Sequence, residues 1–217
     1  MSVIVSCEEF GKNSIEKAEL LLAAVPDGVN RAVKSAIQRT AQYVRTQASK
    51  RVRERYAISA GTLKKYSDVQ IRYNYTAGVG VQADIIFKGK KIGLHKFSGS
   101  SPAAPTFAGD PVPVEIGSQW KLARPGVAAR GHQLVSTAPT LFEKSFVATF
   151  SNGHTGMFER TGGKTSSGSD EIKEIMGDSF PQMIGNTEVA DKLAQDAISK
   201  FDERIEHEID AILNGWR

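Results

Sequence analysis

Four histidines, one cysteine and a set of acidic residues near the C-terminus are the side chains of this sequence best able to do chemistry. His95, His132, His154 and His207 stand far apart in the chain. None falls in the His-Glu-x-x-His or His-x-His spacing that brings two ring nitrogens to one metal. A hydrolase built on them would need two or more to converge with a carboxylate, and their spacing predicts that they scatter. His207 sits in Glu206-His207-Glu208, where adjacent helical side chains point apart. Cys7 is the only cysteine, so neither an internal disulfide nor a thiolate cluster for zinc is available. No base flanks it, and it reads as an incidental thiol. Asp202 with Glu206, and Glu206 with Asp210, are carboxylates spaced four apart. Such pairs do acid–base work when a cleft buries them and merely solubilise an exposed helix. Gly78-x-Gly80 lacks the third glycine of a dinucleotide loop, and no Walker loop or Gly-x-Ser-x-Gly elbow occurs. The expectation is a chain without catalytic residues, cofactor or metal.

The elements that would position these residues are legible from periodicity. Val29, Val33, Ala36, Ile37, Ala41, Val44, Ala48, Val52 and Tyr56 form one apolar stripe, predicting a helix over 29–56 with Asp27 as its N-cap. A shorter helix is expected from Ser14 to about Val25, capped by Ser14 and stopped by Pro26. Val189, Leu193, Ala197, Phe201, Ile205, Ile209 and Ile212 predict a closing helix from Thr187, which can serve as its N-cap, to about Leu213, ended by Gly215. Between them, residues 69–75 and 77–83 alternate with period two, and Ile92–Phe97 reads as a further strand after a turn at 88–91, giving an antiparallel meander. Further strands are expected at 112–116, 132–135 and 142–160. Four prolines place a loop or arm at 98–113, and Gly and Ser place a flexible loop at 161–170.

Residues 1–217 therefore read as one α+β domain: an antiparallel β-sheet packed with a long basic N-terminal helix and a long acidic C-terminal one. The hydrophobic fraction of 40% and charged fraction of 24% exclude a disordered tail, a collagen and a coiled coil. The opening residues carry no basic and apolar signal pattern, and the longest apolar run, Leu20 to Val25, is too short to span a bilayer. No membrane role is expected.

Charge is the least ordinary feature. The first long helix carries Arg31, Lys34, Arg39, Arg45, Lys50, Arg51, Arg53 and Arg55 against Glu54 alone. From Asp170 to Asn214 the sign inverts, with twelve acids against four bases. The two helices could pair within one chain or between copies, the latter a head-to-tail contact that closes into a ring. The basic face could instead meet polyanion such as DNA.

Three passages in order resemble a known family. They are the basic helix running into Arg55-Tyr56-Ala57-Ile58; Ile92-Gly93-Leu94-His95-Lys96-Phe97; and Gly156-Met157-Phe158-Glu159-Arg160-Thr161-Gly162, followed by Ile172-Lys173-Glu174-Ile175-Met176-Gly177 and the acidic helix. Their order and spacing resemble the bacteriophage minor tail protein Z family, the tail completion proteins, over about residues 26–215. The chain departs from the family's Gly-Pro-Ser type passage, reading Gly177-Asp178-Ser179-Phe180-Pro181 there.

The resemblance implies a non-enzymatic protein of the virion tail, assembled in the host cytoplasm and placed at the tail's head-proximal end. It would complete the tail for head–tail joining and DNA passage. Membership further implies a homo-oligomeric ring, six-fold to match the tail, with the tail terminator or tail tube and head–tail connector proteins as partners, and leaves contact with phage DNA open. Tyr56, Leu94, Phe97, Phe158 and Arg160 are then core and interface residues, with Arg160 expected to hold a carboxylate bidentately. The alternative from the residues alone is a nucleic-acid-binding protein using helix 31–55.

Overall fold

The computed structural model describes residues 2–5, 12–76, 80–98, 100, 112–116, 119–123, 129–142 and 145–215. In chain order the elements are β1 (Ser2–Val5), α1 (Lys12–Leu22), α2 (Gly28–Arg55), α3 (Ala60–Tyr66), β2 (Ser67–Thr76), β3 (Gly80–Gly89), β4 (Lys91–Gly93), a 3-10 turn (Leu94–Lys96), β5 (Val112–Ile116), β6 (Gln119–Ala123), β7 (Ala129–Gly131), β8 (Thr140–Phe142), β9 (Ser145–Thr149), β10 (Thr155–Lys164), β11 (Asp170–Glu174), β12 (Met176–Ser179), α4 (Phe180–Ile184) and α5 (Thr187–Leu213). The class is α+β, with antiparallel ladders and long helices toward each end. The chain divides into two compact units: residues 1–54, 63–90 and 179–217 form the first, and residues 55–62 and 91–178 the second.

In the first unit α2 and α5 lie antiparallel. Arg39 meets Glu208 and Arg51 meets Asp196, each step twelve residues along its own helix, about 18 Å. The packed line on α2 is Gly28, Ala32, Ala36, Thr40, Val44, Ala48 and Val52, a ridge of mostly small residues at every fourth position. Such a ridge brings another helix close without large side chains between them. Ala32 and Ala36 meet Phe201, Ile205, Ile209 and Ile212 of α5, joined by Ala18 and Leu22 of α1. Val29, Val33 and Ile37, expected at the centre of the stripe, are half-buried at its margin. The true contact line repeats every four residues, and so it drifts around the helix relative to a 3.6-residue period.

Two expected caps are corrected. Ser14 lies inside α1, where its hydroxyl donates to Asp202 Oδ1 of α5 at 2.6 Å. Asn186, not Thr187, precedes the first turn of α5, and its carbonyl accepts from Ala190 N. Asp27 stands where expected but in the left-handed region at φ 56, its carboxylate accepting from the Asn30 amide.

The sheet of this unit has the order β1-β3-β2, with β3 central. Ile85, Ile86 and Phe87 lie within β3, and Phe87 packs edge-on against Phe180 of α4 at 5.7 Å. Around Pro181 the chain forms the short helix α4, whose Gln182 carboxamide oxygen accepts from the N–H and hydroxyl of Ser179. Helix α3 is a second element that periodicity missed.

The expected meander holds for its first pair, β2 with β3, and fails at its third strand. β4 pairs with β12, not β3, and Ile92–Phe97 is strand only to Gly93 before the 3-10 turn begins. β9, β10 and β11 form an antiparallel sheet with β10 central. The expected loop at 161–170 is corrected as well: β10 runs on to Lys164, and only a tight turn at 165–169, with Gly168 at φ 80, separates it from β11. Most of the 98–113 arm, Cys7 and Gly78 lie outside the described residues.

Candidate interaction surfaces and a histidine–glutamate cluster

The eight cations assigned to the basic helix fall into different environments. Arg51 is held bidentately: its Nε and Nη2 donate to the two Asp196 oxygens at 2.6 and 2.7 Å, and its Nη1 reaches Glu54 at 3.0 Å. Parallel N–H donors matched to a carboxylate make the strongest ion-pair geometry available to a protein. Those hydrogen bonds hold the Asp196 carboxyl below the usual carboxylate range. Arg39 contributes a longer contact to the buried Glu208 at 3.5 Å. The basic and acidic helices therefore neutralise each other within the chain along this seam. Lys17 of α1 adds a 2.7 Å pair to Glu206, so the carboxylates of Asp202 and Glu206 serve α1 rather than each other.

Arg31, Arg45 and Arg53 remain exposed on α2, within about 80° of one another around the helix axis. Lys34 and Lys50 are exposed beside them, and Arg55 belongs to the second unit, where its carbonyl accepts from Val135 N at 2.8 Å.

Also in the first unit, residues 65–68 and 88–90 line an open cleft of about 810 Å³. β2 and β3 set Asp68 opposite Lys88. Lys88 Nζ donates to Gln70 Oε1 at 2.9 Å, and Gln70 Nε2 donates to Asp68 Oδ2 at 2.9 Å. Gly89 is required at the junction, because a Cβ there would stand 2.9 Å from the Tyr66 carbonyl oxygen.

The second unit gathers the family-motif residues. Tyr56, Leu94, Phe97 and Phe158 are all buried. Tyr56 bridges to Leu134 and Ile58 to Phe97, while Leu94 N donates to Ile175 O at 3.0 Å and Ile175 N to Met157 O at 2.8 Å. Burial pushes the Tyr56 phenol up, and Asp178 adds to the effect. Gly177 gives way to the Phe97 ring, which a Cβ would meet at 2.7 Å.

Arg160 does not behave as expected. Among the described residues its carboxylate contact is Asp170 at 3.8 Å, both side chains about half exposed, and its guanidinium stacks over the Phe146 ring at 4.4 Å. Asp170 is claimed more closely by Lys164 at 2.5 Å, which holds its carboxyl below the ordinary range.

The histidines are the second correction, for they do not all scatter. His154 Nε2 lies 3.0 Å from Glu174 Oε2. Glu174 Oε1 and His95 Nδ1 both lie 2.9 Å from where a Gly93 Cβ would stand, so they are within twice that distance of each other. Gly156 makes the same room on the other side, a Cβ there coming within 2.8 Å of Glu174 Oε1. His95 is buried, and among the described residues neither ring nitrogen finds a hydrogen-bond partner. Burial first, then Lys96, pushes its pKa below the usual histidine value; Glu174 pulls the other way and His154 adds to the lowering. His95 is thus a neutral imidazole beside a carboxylate already engaged by another histidine. His132, by contrast, is spent on the backbone carbonyls of Thr137 and Ser98, and His207 is exposed on α5 of the first unit. Among the described residues no group of three His, Cys, Asp or Glu side chains is set to hold a metal ion, and no helix is long and apolar enough to cross a membrane. Sequence reasoning missed this cluster because its members lie in three separate elements. The paired glycines, Gly93 and Gly156, were the available signal.

No protein-family model, no curated protein and no solved structure matches the chain.

Proposed function

We propose that the chain is a structural virion protein of a tailed phage or prophage, completing the head-proximal end of the tail so that the capsid can join and DNA can pass. In this reading it performs no reaction and assembles into a six-fold ring, contacting the tail terminator or tail tube on one side and head–tail connector proteins on the other. The observation that carries the reading is the node in the second unit. Parts of the passages on which the resemblance to tail completion proteins rests, from 55–58, 92–97, 156–162 and 172–177, interlock there through backbone hydrogen bonds and glycine-enabled packing, while the basic and acidic helices of the same resemblance belong to the first unit. Residues far apart in sequence that resemble one family's motifs also form one physical unit, as a shared framework requires.

The test is assembly. Mass photometry and negative-stain microscopy of the purified chain, alone and with the tail-tube protein encoded beside it, are expected to show six-fold rings in at least one condition. A chain that stays monomeric and never attaches to tails, or phage lacking it that still join heads to tails, overturns the proposal. A second reading, a nucleic-acid-binding protein using α2, is favoured by the exposed Arg31, Arg45 and Arg53. It predicts DNA binding lost on reversing those charges, whatever the oligomeric state.

A further inference from the structure

We infer that the cleft between the end of α3 and the β2–β3 ladder is a seat for the phosphodiester backbone of DNA. Three ammonium groups line it, Lys65, Lys88 and Lys90, against the single carboxylate of Asp68. That carboxylate is already engaged by the Gln70 amide, and the same Gln70 holds Lys88 through its other atom. The chain Lys88–Gln70–Asp68 fixes one cation in place and leaves two of its three ammonium protons for a ligand. Lys65 and Lys90 are exposed at the rim, with Lys65 Nζ 5.9 Å from the Tyr66 ring centre. The concavity exists because Gly89 lets β3 approach Tyr66 more closely than any side chain would allow.

Ammonium groups act on phosphate as point charges and need no bidentate geometry, so such a site reads charge spacing rather than base sequence. The cleft is open rather than enclosed, and lysines outnumber carboxylates among its lining residues. The exposed arginines of α2 offer charge of the same sign along one helix face. The polyanion contact thus lies on the sheet rather than on the helix. It stands independently of ring formation, because binding and oligomeric state are read by different measurements.

The experiment is fluorescence anisotropy with a labelled mixed-sequence DNA duplex, titrated with the full chain between about 50 and 200 mM salt. Neutralising three phosphates gives a slope of log K against log salt of about −2.7. Lys65→Glu with Lys90→Glu, both at exposed positions, is expected to flatten that slope by roughly two, and Lys88→Gln by roughly one. Arg45→Glu with Arg53→Glu on α2 is the comparison and is expected to leave the slope unchanged; circular dichroism confirms that each variant is folded. The inference is overturned if the wild-type chain does not bind the duplex at the lowest salt. It is overturned equally if the cleft variants bind as well as wild type, or if only the α2 variant loses binding.

Discussion

Two ion-paired regions, the α2–α5 seam of the first unit and the β10–β11 hairpin of the second, use similar residues to different ends. On the seam, Arg51 is a quarter exposed and meets Asp196 through two short parallel hydrogen bonds. On the hairpin, Arg160 is half exposed and only 3.8 Å from Asp170, with Phe146 taking its guanidinium face. Both would count as one arginine–aspartate pair. The difference teaches that exposure and donor geometry, not the number of opposite charges, decide what a pair contributes: a solvated pair gains little, whereas a desolvated one becomes costly to break.

Several changes would break or sharpen that contrast. The largest effect should come from the apolar seam itself. Ile205 is fully buried against α1 and α2, and Ile205→Ala should cost about 3 kcal/mol, read as a lower urea midpoint at unchanged slope. A loss below a third of that would mean the helices do not pack as described. Next, Arg51→Ala should cost about 2 kcal/mol, since it strands a mostly buried Asp196. The Asp196 carboxyl is held low in the folded state, so its stabilising contribution is complete above the ordinary carboxylate pKa. It disappears as pH falls from there through the lowered value, and Asp196→Asn should flatten that acid limb of the stability curve. Asp170→Asn on the hairpin, by contrast, should leave melting at moderate salt unchanged; a clear loss there would erase the distinction.

A further change concerns His95, whose pH dependence has the same sign as that of Asp196 but falls at higher pH and arises from burial rather than from an ion pair. Its folded pKa is lowered, so below the ordinary histidine value near 6.5 the unfolded chain takes up a proton that the folded one refuses. Stability should therefore fall as pH drops below about 6.5, and His95→Gln should remove part of that slope. Differential scanning fluorimetry from neutral to mildly acidic pH reads it, and an identical slope in the variant would refute the assignment.

Legibility followed range along the chain. α2 and α5 were readable almost to the residue, because a long apolar stripe with clear stops is a local signal. α3 and α4, at seven and five residues, were missed: each is too short for periodicity and is held by contacts such as Phe87 with Phe180. The strand expected at Ile92–Phe97 breaks after Gly93, where Leu94 N turns to Ile175 O, eighty-one residues onward. The histidine–glutamate cluster was illegible for the same reason, since the turn that ends at His154, β11 and the 3-10 turn meet only in the fold.

The amino-acid order alone thus determined the two long helices, their opposed charges and the α+β class, because apolar period and charge are properties of neighbouring residues. The tertiary structure decided which charges are spent on each other, that β4 joins β12, and that His95 lies buried near the carboxylate of Glu174. Those outcomes depend on desolvation and on distances between segments far apart in the chain, and no local pattern carries either.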